Sequence, residues 1–343
     1  MSKIRKILSL LLVMVMALMT LSACGNKDKD NTPLVVGYSQ FSEKFSPFFA
    51  DTDYDMDVAE MTGVTLMTTD RTGGIVYNAI EGETIPYNGV DYTYNGIADI
   101  AVNFDEAANK TYYDIKIRDD VKFSDGEILD ADDIIFTYYV ISDTSYDGSS
   151  TLYSQPIIGM LNYRANSTVA ETITDEEVNA LVENPSDALN KAIADKIIRP
   201  VLESEYDWVG GLYGNDAWAS YTEAHPEQKD LFALFYNLDE AYDSTTVADS
   251  KQVVEDIIAQ YGSDYKALGN GYAADESYYN NDVLALAREV ITEEKKAAGE
   301  GEEVPNIEGI KKISDTEVQI VTKGYDATAI YQIGGIIVTP MHY

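Results

Sequence analysis

The chain has 343 residues, with 24 Lys and Arg against 59 Asp and Glu and a formal net charge of −35. A surface this acidic repels a polyanion, which excludes nucleic acid as a main partner. A single cysteine excludes an intrachain disulfide framework, and the length exceeds what one compact core fills, so two or more lobes are expected.

Lys3, Arg5 and Lys6 precede an apolar run from Ile7 to Leu21, the form of a secretory signal. The run ends at Leu21-Ser22-Ala23-Cys24, which resembles a bacterial lipobox. That resemblance implies removal of residues 1–23 and a diacylglycerol on the Cys24 thiol, anchoring the chain to the outer face of the cell membrane. Acyl chains supply ~0.8 kcal/mol of membrane affinity per buried CH₂. An uncleaved membrane span is the competing reading, but the run is a little short of the ~20 residues a span needs. Without the three leader cations the balance is 21 against 59, or −38. Residues 24–33 are polar with no apolar face and read as a flexible tether.

Pro33 to Tyr38 is expected to form a short strand. Ser39, Phe41, Ser42, Phe45 and Ser46 follow before Pro47, and they are the candidate ligand contacts. Aromatic faces with small hydroxyls suit an apolar pocket holding a few placed polar groups. An ordinary strand-to-helix loop with core phenylalanines would have the same composition. Asp51, Asp53 and Asp55 alternate as in a calcium loop, but an EF-hand starting at Asp51 requires glycine at position 56 and glutamate at position 62. Met56 and Thr62 stand there, so the acids read as the N-terminus of a helix, which its dipole favours.

Asp70 to Gly74 is a turn by its glycines. Tyr92, Tyr94 and Ile97 fit short strands, and Ile100, Val102 and Phe104 alternate cleanly. Tyr113, Ile115 and Ile117 alternate with Asp114, Lys116 and Arg118, a strand with one buried face. Val121 to Tyr139, VKFSDGEILDADDIIFTYY, then reads as strand, turn and capped helix. Ser124-Asp125-Gly126 makes the turn. Asp130 caps the helix, Asp133 reaches back to the cap, and Ile134, Ile135, Tyr138 and Ile141 share its apolar stripe.

Residues 146–304 change character. Thr174 to Glu177 is a capping box, Ser186 caps a helix expected to stop near Pro200, Val253 to Tyr261 is a helix closed by Gly262, and Val283 to Lys296 is another with Leu284, Ala287 and Ile291 on one stripe. Trp208, Trp218, Tyr206, Tyr213 and Tyr221 surround Gly210-Gly211 and Gly214. From residue 305 strands return: Ile310, Ile313, Val318, Ile320 and Val321 bracket the turn Ser314 to Glu317, a short helix fits Tyr325 to Ile333, and the chain ends Thr339-Pro340-Met341-His342-Tyr343.

The run Phe123-Ser124-Asp125-Gly126, then Ala131-Asp132-Asp133-Ile134, and finally the strand-Pro-x-His step at Pro340 to His342, resembles the family 5 extracellular solute-binding proteins of bacterial ABC importers. The resemblance covers the two ends and is weak over residues 146–304. It implies an α/β fold: a type II periplasmic-binding-protein-like lobe at 34–145 with a β-rich subdomain, a mostly helical insertion at 146–304, and a return to the first lobe at 305–343. It implies further that the chain is the N-terminal part of a longer receptor whose second lobe is missing. The segment 39–46 would line the cleft, the ligand would be a peptide or other small solute, and ABC permease subunits would be the partners. Such capture needs no covalent chemistry and no cofactor.

His225 and His342 have no partner at metal spacing, so a metal site is not expected. No Gly-x-Ser-x-Gly elbow and no phosphate loop appear. A lipid-anchored extracellular hydrolase is the alternative from a different class.

Overall fold

The computed structural model describes residues 35–210, 223, 230–238, 247–268 and 276–343. The leader, Cys24 and the tether lie outside the described residues, as do Trp218, Tyr213, Tyr221 and His225. The first half runs from helix α1 (Asp53–Thr62) through strands β1 (Thr68–Thr69), β2 (Ile75–Val76), β3 (Glu83–Tyr87), β4 (Val90–Tyr94), β5 (Ala98–Asp105) and β6 (Lys110–Ile117) to helix α2 (Ala131–Ser142). Helices α3 (Met160–Ala165), α4 (Asp175–Glu183), α5 (Asp187–Ile193), α6 (Arg199–Gly210), α7 (Leu231–Phe235), α8 (Val247–Tyr261) and α9 (Glu276–Ala297) follow. The chain then forms strands β7 (Ile310–Ser314) and β8 (Glu317–Lys323) and helix α10 (Ala329–Gly334).

The alternation of residues 110–117 is met by burial of one face: Tyr113, Ile115 and Ile117 are all buried. A strand with a buried face needs ladders on its edges. Here β5 supplies one edge and β8 the other, in an antiparallel sheet of order β5-β6-β8-β7. The register sets Ile100 opposite Ile115 and Ile115 opposite Val318, so one apolar row crosses three strands. Helix α2 covers that row with Ile134, Tyr138 and Ile141. Each buried aliphatic side chain contributes about 1.5–3 kcal/mol.

Helix α2 begins where its cap chemistry dictates. Asp130 accepts from the Asp132 N–H at 2.8 Å, and Asp133 accepts from the Asp130 N–H at 3.0 Å, closing the capping box. Upstream, the strand expected at Val121 to Phe123 is reduced to a single bridge from Lys122 to Ile128 around Gly126, whose φ of 98° is left-handed and suits glycine. The same helix holds the end of the chain. The Asp133 carboxylate also accepts from the Met341 N–H at 2.8 Å, Thr137 Oγ1 accepts from the Thr339 N–H at 2.9 Å, and Tyr138 donates to the Ile333 carbonyl at 2.8 Å. His342 packs edge-on against Phe123 and bonds Asp125 at 2.7 Å, which shows how the strand-Pro-x-His step is seated.

A second apolar cluster lies among the helices: Leu189, Ile193, Ile197, Leu202, Val253, Ile257 and Ala287 are among its buried members. Leu152, Ile157 and Met160 instead pack in the first cluster with the sheet.

Three further sequence expectations are corrected. Residues 35–40 form no strand; no neighbouring strand offers them a ladder, and Val35 is 86% exposed. The helix from Asp187 does not stop at Pro200. A π-turn over Ala194–Ile198 shifts the hydrogen-bond pattern just before it, so the missing proline N–H is tolerated at the start of α6. On α9 the buried stripe is Val283, Leu286 and Ala287, while Leu284 faces out at 38% exposed. The strand β3 was not anticipated; Pro86 within it is tolerated because β3 belongs to a two-stranded ribbon with a free edge.

Asp130→Ala removes the side-chain half of the capping box. The unfolding free energy is expected to fall by about 1 kcal/mol in urea titration, and Asp130→Asn to recover most of it.

Candidate functional site

The candidate contacts lie on an irregular segment that needs something other than a ladder to hold it. Asp55 does this. It is fully buried on the first turn of α1, and its Oδ2 accepts from the Ser42 N–H at 3.2 Å and from the Ser42 hydroxyl. The backbone of Lys44 also bonds to it. Burial acts to raise the Asp55 pKa, but the bonds from Ser42, Thr52 and the two backbone amides outweigh it and the net shift is downward. Asp55 Oδ1 is buried and accepts no hydrogen bond among the described residues. Glu43, between the two amides, has φ 65°. That left-handed conformation costs a non-glycine residue roughly 1–2 kcal/mol, a cost the bonds to a buried carboxylate offset.

With the loop pinned, four rings meet. Tyr38 and Phe41 are 5.5 Å apart between centroids, Phe41 and Phe45 5.6 Å, and Tyr38 and Tyr54 6.0 Å. Such pairs contribute about 0.5–1.5 kcal/mol each beyond burial. Phe45 remains 43% exposed and Tyr38 38%, so the group presents a usable aromatic face. Burial and then the Asp57 carboxylate raise the Tyr38 pKa. Lys44 pairs with Asp51 at 2.5 Å on the surface, a contact of little energetic weight.

The candidate residues therefore divide. Phe41 and Phe45 belong to the aromatic face. Ser42 is committed to Asp55 and Asp51. Ser46 closes a turn, its hydroxyl accepting from the Phe48 N–H at 3.3 Å and its carbonyl from Phe49 and Ala50. Ser39 is exposed. Tyr38, Tyr54 and Asp55 were missed from the sequence as members of this group. The signal was faint: Asp55 reads as one more acid at a helix start, and nothing local says that a serine thirteen residues earlier covers it. Phe48 leaves the face and lines a cleft of about 180 Å³ with Met56, Thr137 and Ile337.

Residues 97–229 match a family model described as bacterial extracellular solute-binding proteins, family 5 Middle. That stretch is similar to the family 5 solute-binding proteins. No curated protein and no solved structure matches the chain. The matched stretch begins at β5, takes in β6 and the capped helix α2, and continues into the helices. The aromatic face lies before it in sequence. The two are joined in space, because the Tyr146 hydroxyl donates to the Phe48 carbonyl at 2.8 Å and Phe48 meets Phe136 of α2 at 6.4 Å.

A second, larger cleft of about 450 Å³ opens between the sheet and the helices, walled by Ile157 to Leu161, Glu171 to Asp175, Arg288 and Lys323. For a nucleophilic mechanism the described histidine is poorly placed: the His342 ring bonds Asp125, and no serine hydroxyl bonds it among the described residues. No helix among the described residues is long and apolar enough to cross a membrane.

The Asp55 contacts are strongest when its carboxylate is ionised. Its folded pKa is depressed, so its contribution is present above the ordinary carboxylate range and is lost as pH falls through the folded value. Hydrogen exchange should show the Ser42 amide protected at neutral pH. That protection should drop on acidification and in Asp55→Ala.

Proposed function

We propose that the chain is the substrate-binding component of an ABC importer, taking up oligopeptides outside the membrane for delivery to the permease. The observation that carries this reading is the match of residues 97–229 to a family of extracellular solute-binding proteins. The matched stretch includes strands β5 and β6 of the sheet and the capped helix α2. In this reading the segment 34–145 is a lobe of the type II periplasmic-binding kind with a β-rich subdomain. Residues 146–304 are its helical insertion, and 305–343 bring the chain back to it.

Capture requires differential affinity between open and closed states and no covalent step. The rings of Tyr38, Phe41, Phe45 and Tyr54 suit that task. Tyrosine and phenylalanine give contact area at low entropy cost, and tyrosine adds a polar tip. The Asp57 carboxylate stands beside Tyr38, so neutral or cationic peptides are preferred over acidic ones. Acylated Cys24 would hold this capture site close to the permease.

Calorimetry of the intact chain against a peptide library tests the reading. Saturable binding without product is expected, and Phe41→Ala should weaken it about tenfold, the loss of about 1.4 kcal/mol. Product formation would establish a hydrolase instead. For the anchor, growing cells fed labelled palmitate should label the native chain and leave Cys24→Ser unlabelled.

A further inference from the structure

The larger cleft has a chemistry distinct from the aromatic face. Pro156 to Ile158 runs on beside β8 past the end of β7: Ile157 bridges Thr322, the Ile158 N–H donates to Val321 at 3.0 Å, and the Lys323 N–H donates to Pro156 at 2.9 Å. The chain then turns at Gly159, whose φ is 80°. A Cβ there would sit 2.7 Å from the Glu308 nitrogen, so only glycine allows this wall to lie so close. Opposite stand residues 171–175 and Arg288 of α9. Arg288 bonds the Ile173 carbonyl at 2.6 Å and Asp175 at 2.8 Å, and both partners are thereby committed to the wall.

Two charges are left uncommitted. Glu171 accepts the Gly159 N–H at 2.7 Å through Oε1, while its Oε2 takes no hydrogen bond among the described residues. The Lys323 ammonium has neither hydrogen bond nor ion pair among the described residues. Burial raises the Glu171 pKa, the Gly159 amide opposes it, and Glu308 and Lys323 act in opposite directions. Ile158 and Leu161, the latter 46% exposed, line the same cleft and give it apolar surface. At about 450 Å³ the cleft falls within the roughly 300–1,000 Å³ of small-molecule sites, whereas the 180 Å³ cleft beside Phe48 falls short.

We propose that this cleft is a second binding site, for a short aliphatic zwitterion such as a dipeptide, with its ammonium at Glu171 and its carboxylate at Lys323. A purely anionic ligand would answer Lys323 and leave Glu171 uncompensated, and a cationic one would do the reverse. A zwitterion satisfies both and lays its apolar body on Ile158 and Leu161. Because the walls come from both apolar clusters, occupancy ties the sheet to the helices.

Calorimetric titration of the intact chain with Leu-Leu, N-acetyl-Leu-Leu and Leu-Leu amide tests this. Loss of either terminal charge should weaken binding at least tenfold in the native chain. Acetylation should have no further effect in Glu171→Gln, nor amidation in Lys323→Met. No saturation at millimolar Leu-Leu, or equal affinity for all three peptides, overturns the proposal even if a variant fails to fold. Binding abolished by Phe41→Ala but unchanged in Glu171→Gln and Lys323→Met overturns it too, and leaves capture at the aromatic face standing.

Discussion

Strand β6 can bury Tyr113, Ile115 and Ile117 only with β8 at its side, and β8 lies some two hundred residues further along the chain. Closing a loop of that length costs about 5 kcal/mol in its length-dependent part, since the cost grows only with the logarithm of length. Val318 and Ile320 on β8 and the residues that face them on β6, Ile115 and Tyr113, are all buried, at about 1.5–3 kcal/mol each. The pairing therefore wins by a clear margin. It also explains why a whole group of helices can lie between β6 and β8 without weakening the sheet. The helices need only leave and return near the same edge, and they do so beside Pro156 to Ile158 and Ile307 to Ile310.

That return seats everything else. Once β8 is in place, α10 and the strand-Pro-x-His step fall across α2, where Thr137, Tyr138 and Asp133 bond Thr339, Ile333 and Met341. The far wall of the small cleft beside Phe48 comes from this C-terminal stretch. Asp55 plays the matching part at the other end of the chain. A buried carboxylate gathers a loop that has no ladder of its own, and the loop in turn carries the aromatic face.

The aromatic face and the larger cleft differ in how they were hidden. The aromatic segment was visible in sequence as a Ser-Phe run, yet its serines prove to be internal fasteners, while Tyr38 and Tyr54 complete the ring cluster. Their inclusion depends on how helix α1 faces the loop, a matter of tertiary placement. The larger cleft gave no sequence signal. Its charged groups, Glu171, Arg288 and Lys323, are scattered over three regions, and each looks like an ordinary surface charge.

Local order was legible because it is written within a few residues. The capping boxes at Asp130 and Thr174, the turn at Gly126, the alternation through Tyr113 to Ile117 and the helix stop at Gly262 each depend on neighbours no more than four or so positions away. What the tertiary structure alone decided was partnership. Residues 35–40 have strand composition but no edge to join, Pro200 continues a helix because a π-turn precedes it, and Asp55 turns inward because Ser42 covers it. Hydrogen-bond periodicity is a property of one segment, whereas burial is a property of what lies against it, and no single segment contains that.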